Sequence, residues 1–264
     1  EEVFQALRGD RGRVAGTFFT SGSAGTLGAG NALKDRHPRC KFAVGEALQC
    51  PTLLRNGFGA HRIEGIGDKH VPWIHDVRET DMIVALDDAD CMALVRLFNE
   101  PAGRAYLKGQ GIAEDVVERL DLLGISGVAN LLGAIKMAKY YELTEDDFVF
   151  TVFTDSMELY GSRLAEMAEA QGPYDAVQAA VDCHAHLWGV RSDAVLELTY
   201  PEGQRVHNLK YYTWVEQQGR TLEELQAQWY DHDAYWGTLR RQAGAIDDLI
   251  REFNRESGAL EQMV

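Results

Sequence analysis

At 264 residues, with 45% hydrophobic and 25% charged residues, the chain has the composition of a globular protein of one large or two modest domains. Its 26 basic against 41 acidic residues leave a formal charge of −15, which argues against nucleic acid or an anionic membrane as partner, since either needs a basic face. No apolar run reaches the ~18 to 20 residues of a membrane span, no signal-peptide pattern is present, and the four cysteines form no CxxC pair, so reduced thiols and a cytoplasmic location are expected.

The opening "EEVFQAL" reads as the middle of a helix and begins with Glu1 rather than Met, so the chain is expected not to begin where its gene begins. From there to about residue 170, β-rich apolar runs alternate with helical patterns. The runs are "VAGTFF" (14–19), "KFAVG" (41–45), "DMIVAL" (81–86) and "FVFTVF" (148–153). They lack period-2 alternation, as central strands covered on both faces do. Cys91, Leu94, Val95 and Phe98 share one helical face, with Asp87 or Asp88 available as N-cap. Ile125, Val128, Leu132 and Ile135 follow helical spacing too, with Lys139 at the polar end. Alternating strand and helix predicts an α/β fold, a mostly parallel sheet with helices on both faces, over residues 1–170.

After "QGPYD" the character changes, and residues 171–264 read as a C-terminal extension. A helical stretch, "AVQAAVDCHAHLWG", leads to a hairpin, "DAVLELTYPEGQRVHNLKYYTW", with Pro201, Glu202 and Gly203 at its turn. Thr221 and Glu224 then form a capping box that opens one long helix rich in Leu, Trp and Tyr.

The segment with most chemistry in it is "TSGSAGTLGAG" (20–30), four glycines between a strand and a helix start. Converging N–H groups and a helix dipole make such a turn an anion site. A dinucleotide fold is one rival. Its GxGxxG spacing is absent, although Glu46 closes the next strand about where a ribose-binding acid would sit. A tight turn with no ligand is the other.

The remaining landmarks favour neither rival. Gly22 to Thr26, "GSAGT", resembles the phosphate loop of the cysteine synthase and cystathionine β-synthase branch of fold-type II pyridoxal phosphate enzymes. So do, in order, "NALKDRHP" at the end of the next helix, "AVGEA" (43–47), "EGIGDKHVP" (64–72), "GISGVAN" (124–130) and "FTDSMELY" (153–160). The resemblance covers residues 1 to about 165 and implies a tryptophan synthase β-like large domain. It implies pyridoxal 5′-phosphate as cofactor, an amino-acid substrate, and β-replacement on an activated serine by sulfide or another thiol. Gly22, Ser23, Ala24, Gly25 and Thr26 would then hold the phosphate, with Ser156 against the pyridine nitrogen. A neutral hydroxyl there leaves the ring a weaker electron sink, which suits β-replacement and β-elimination better than transamination. Gly65, Gly67 and Gly124 let backbone approach the ligand or simply make turns. Ser23 and Ala24 depart from the usual Thr and Gly, and alanine demands either a negative φ or strain.

One element is missing. The family's Schiff-base lysine lies upstream of its phosphate loop, and the 21 residues before Gly22 contain no lysine. Lys34 follows the loop and reads as a solvated surface lysine; the other six lie in surface-like contexts. The chain thus resembles the C-terminal part of the parent enzyme. It is expected to be inactive alone and to belong to a homodimer of the complete enzyme or to associate with an N-terminal segment or subunit. β-Elimination of the serine/threonine dehydratase or ammonia-lyase type, and a non-catalytic cofactor-binding or partner subunit, are the alternatives. No metal site is expected: His184 and His186, or Asp231 and Asp233, are two residues apart and point away from each other on a helix.

Overall fold

The computed structural model of the chain describes residues 12–67 and 69–258; the helix-like opening at 1–7 lies outside them. Four strands run parallel: β1 (Arg13–Thr20), β2 (Lys41–Ala47), β3 (Met82–Leu86) and β4 (Asp147–Phe150). A short β5 (Val195–Glu197) adds antiparallel to β3, giving the order β4-β1-β2-β3-β5. The helices of the α/β part are α1 (Gly25–Arg36), the single turn α2 (Thr52–Arg55), α3 (Asp88–Asn99), α4 (Pro101–Gly109), α5 (Glu114–Glu118) and α6 (Ile125–Tyr140). After them come α7 (Gly161–Gln171), α8 (Ala176–Asp182), α9 (Tyr200–Asn208), α10 (Leu222–Tyr230) and α11 (His232–Ser257).

Helices cover both faces of the sheet. Phe42 stands beside Thr17 rather than Phe18 in the β1–β2 ladder, so Phe18 and Phe42 point to opposite faces. α1 meets the Phe42 ring through Gly30, and α6 meets the Phe18 ring through Gly133. A Cβ on Gly133 would run into that ring, so glycine lets α6 lie close on β1. On its other side α6 buries Ile125, Val128 and Leu132 in the same core as Leu94, Val95 and Phe98 of α3. Asp87 caps α3 by accepting the Ala89 N–H (2.9 Å), as its sequence position predicts.

The backbone forms two compact units, one up to Leu209 and one from Lys210 onward. In the second, the Thr221–Glu224 capping box is present and α10 packs on α11. Lys210 is buried there, donating to Gln228 Oε1 (2.6 Å) with its ammonium 5.7 Å from the centre of the Trp236 ring.

Three expectations for residues 148–257 are corrected. Strand pairing of "FVFTVF" stops at Phe150, and residues 151–156 run on without a ladder. There is no hairpin across Pro201: β5 pairs with β3 instead, and Pro201 sits in the first turn of α9, where its fixed φ and missing N–H suit a helix start. The long helix is two helices, with Asp231 between them outside the helical region at φ −107°, ψ 37°.

Candidate functional site

β1 carries the chain to the carboxyl edge of the sheet. There Ser21 N–H still bonds Gly45 C=O (3.0 Å) before the turn through Gly22, Ser23 and Ala24 into α1. β2 and β4 flank β1 on opposite sides, so this turn lies where the strand order reverses, the place at which open α/β sheets take ligands. Ala24 adopts φ 67°, ψ 13°, a left-handed conformation that costs a non-glycine residue about 1–2 kcal/mol. Of the two options open to alanine, the chain takes the strained one.

The start of α1 suits an anion. It has no side-chain cap and no acidic residue in its first turn, so its first N–H groups and dipole face outward without a neutralising partner from the helix. Ser23 and Gly25 are exposed and Thr26 is half-buried. No described atom stands within 4 Å of where a Cβ on Gly25 would be. This donor set fits a phosphate group.

Other landmark segments converge on the same edge. Gly67 N–H donates to Ser21 C=O (2.8 Å), and Gly65 packs beside Ser126. Ser126, in the first turn of α6, donates to Asp155 Oδ1 (3.2 Å), and Gly124 N–H donates to Asp155 C=O (2.9 Å). Tyr160 donates its phenol to the other carboxylate oxygen of Asp155. That hydrogen bond, reinforced by burial, pushes the Tyr160 phenol up to about 12. One turn along α6, buried Asn130 accepts from Thr20 N–H (2.8 Å) and donates to Val152 C=O (2.7 Å). Its amide therefore ties the end of β1 to the segment after β4, where the two strands no longer pair.

Ser156 lies six residues beyond β4, following the same carboxyl edge as the glycine loop, since β1 and β4 are parallel. It is half-buried and precedes a helical turn, Met157–Tyr160, without capping it through its side chain. It lines a depression of about 460 Å³ with Arg104, Asp121 and Leu164. The side chain tied into the meeting of the loops is that of its neighbour, Asp155.

Glu46 does not face the loop. Its carboxylate accepts the N–H groups of Leu53 and Leu54 (2.8 Å each) and so caps α2. Burial raises its pKa to about 7, against the pull of those hydrogen bonds.

The lysines are less uniform than their sequence contexts suggest. Lys34 is not a free surface lysine: its ammonium bonds Asp81 Oδ2 and Glu79 C=O (2.9 Å each). Asp81 immediately precedes β3, so this pair sits at the amino edge, opposite the glycine loop. Lys136 and Lys210 are buried rather than exposed, Lys136 against Asp193 Oδ1 (3.0 Å) and Ala85 C=O (3.3 Å). Lys69 is exposed beside the Phe58 ring. His184 and His186 go to different partners, Tyr106 and Asp90.

Asn130, Ser126 and Asp155 were not singled out by the sequence reading. The available signal was the spacing Ser126, Asn130, Gly133, Met137, a second helical stripe on α6 that faces β1.

No protein-family model matches the chain. It is 30% identical over 165 residues to an O-acetylserine dependent cystathionine β-synthase of Bacillus subtilis, covering 61% of this chain and 46% of that one. It is 25% identical over 140 residues to cysteine synthase B of Campylobacter jejuni, covering 53% and 40%. The chain thus spans less than half the length of these curated relatives. The structure of a cysteine synthase from Entamoeba histolytica shares its fold at a TM-score of 0.51 and 20% identity, over 70% of this chain and 48% of that one. Over the matched residues the chain is similar to cysteine synthases and to an O-acetylserine dependent cystathionine β-synthase.

Proposed function

We propose that this chain supplies the phosphate-loop portion of a pyridoxal phosphate-dependent enzyme that carries out β-replacement on an activated serine. The observation that carries the reading is the convergence of the Gly22–Thr26 turn, Gly65–Gly67, Gly124–Ser126 and Thr154–Asp155 at the switch point of the sheet. When bound, the cofactor supplies an electron sink for negative charge developing on the substrate's Cα. In this reading the N–H groups of the loop, with the Ser23 and Thr26 hydroxyls, bind the phosphate, and the Ser156 hydroxyl meets the pyridine nitrogen. Asp155, held by Ser126 and Tyr160, positions the segment that carries Ser156. The incoming thiol is unspecified, and β-elimination is the same machinery without it.

A second reading, a subunit that binds cofactor without covalent attachment, is favoured by the engagement of Lys34 at the opposite sheet edge and of Lys136 by Asp193. In the first reading the attaching lysine belongs to another segment, an N-terminal portion of the complete enzyme or a separate subunit.

Calorimetric titration with pyridoxamine 5′-phosphate, which has the ring and phosphate but cannot condense with lysine, tests the site. Saturable binding is expected, weakened at least about tenfold by Gly25→Val, whose side chain would stand where the phosphate approaches. Equal affinity in the variant would overturn the loop assignment. With pyridoxal phosphate itself, a stoichiometric borohydride-fixed adduct on one of the seven lysines would show that the attaching lysine is already present.

A further inference from the structure

Two buried hydroxyls among the described residues make no hydrogen bond: Thr17, within β1, and Ser21, directly after it. Buried polar groups are nearly always paired, so each needs a reason. Thr17 lies mid-strand against the thiol of Cys40. Ser21 is the last residue before Gly22 and is 7% exposed. Its main chain is held from both sides, its N–H on Gly45 C=O (3.0 Å) and its C=O taking Gly67 N–H (2.8 Å). The sheet thus fixes the position of a hydroxyl that no described group meets.

Strand alternation gives its direction. Thr17 stands beside Phe42 in the β1–β2 ladder, and Phe42 meets α1 at Gly30. Two residues on, Phe19 lies edge-on to the Phe42 ring, with centroids 6.1 Å apart. Ser21 continues that row, since its N–H still belongs to the ladder. Its side chain therefore points to the α1 side of the sheet, toward which the chain turns through Gly22, Ser23 and Ala24. The start of α1 there offers N–H donors and no acid in its first turn. The Ser21 hydroxyl adds one more donor to this set, and donors left without an acceptor suit an anion.

We infer that Ser21 is a further anion-binding residue, its hydroxyl donating to the phosphate group that the Gly22–Thr26 turn holds. The inference rests on the phosphate-loop reading and adds to it a side chain from the strand, beneath the loop. Because the hydroxyl is buried, the phosphate meets it as the turn shifts outward, and relaxation of the left-handed Ala24 (φ 67°) offsets part of that movement. Without ligand the hydroxyl brings a desolvation cost and no hydrogen bond. Its two effects are therefore opposite in sign: it weakens the empty fold and strengthens the occupied one.

Ser21→Ala separates the two effects. Thermal unfolding without ligand should give a midpoint equal to or above that of the unaltered chain. Calorimetry with pyridoxamine 5′-phosphate should show a dissociation constant raised at least about tenfold, the effect of one hydrogen bond to a charged group. Inorganic phosphate should compete with this probe, and its inhibition constant should rise by a similar factor, which places the lost contact at the phosphate rather than the ring. Unchanged affinity in Ser21→Ala, the result if water alone meets the hydroxyl, overturns this proposal and leaves the loop reading standing. A weaker affinity matched by a lower melting midpoint makes Ser21 a structural residue and overturns it too. No binding by the unaltered chain overturns the loop reading and this proposal together.

Discussion

Replacing Asn130 by leucine removes a single amide of similar size and tests whether it holds the carboxyl edge together. The amide is 5% exposed and makes two hydrogen bonds, one from Thr20 N–H and one to Val152 C=O. In the variant the Thr20 N–H has no acceptor in a buried setting, a desolvation cost of about 1–3 kcal/mol, and the loss at Val152 adds about 1 kcal/mol. A loss of about 2–4 kcal/mol follows, a large share of the ~5–15 kcal/mol that holds a domain folded. Urea unfolding followed by tryptophan fluorescence measures it, as a midpoint lowered by about 1 M or more for a typical slope. Asparagine to aspartate discriminates further. One oxygen still accepts from Thr20, but the other faces a carbonyl oxygen and must carry a proton to be tolerated. That raises its folded-state pKa, so the variant's stability is greatest at low pH and is lost as pH rises. A change below about 0.5 kcal/mol in Asn130→Leu, the range of an ordinary surface substitution, would refute the clamp.

Glu46 makes a prediction of the same sign. Its folded pKa of about 7 lies above the ordinary 4.5, so the stability linked to its proton is full below about 4.5 and is lost as pH rises through about 7. Between pH 6 and pH 8 the chain should lose roughly 1.3 kcal/mol from this group, and Glu46→Gln should flatten that part of the denaturation profile; an unchanged profile would count against a buried, proton-holding carboxyl. Gly124→Ala isolates close approach from backbone freedom, because φ −67° at that residue suits any amino acid. The added methyl runs into the Asp155 carboxylate, so Asp155 must leave Ser126 and Tyr160, and the melting curve should show a loss of about 1–3 kcal/mol.

The strands, α3, α6 and the Thr221 cap were legible because each rests on local chemistry: continuous apolar runs, a 3.6-residue stripe, a side chain that caps its own helix. The glycine loop was legible as a loop for the same reason. Pro201 misled because the proline that starts a turn also starts a helix, and whether β5 pairs forward or back to β3 is decided by distant residues. Lys34, Lys136 and Lys210 were misjudged alike: a lysine's partner is often far along the chain, as Asp193 is from Lys136. Ser126 and Asn130 carried a signal only in their spacing with Gly133 and Met137, a stripe whose burial depends on β1 lying beneath it.

The contact between Phe18 and Gly133 has a mechanical consequence. The ring is a spacer, and its thickness sets the height at which α6 rides above β1. Asn130 and Ser126 project from the same side of that helix, about one and two turns toward the carboxyl edge. A helix moves nearly as a rigid rod, so lifting it at Gly133 swings both side chains off their targets together. The aim of two polar groups at the candidate site is therefore governed by an apolar contact that touches neither of them, and a wedge placed at Gly133 acts there as on the short arm of a lever.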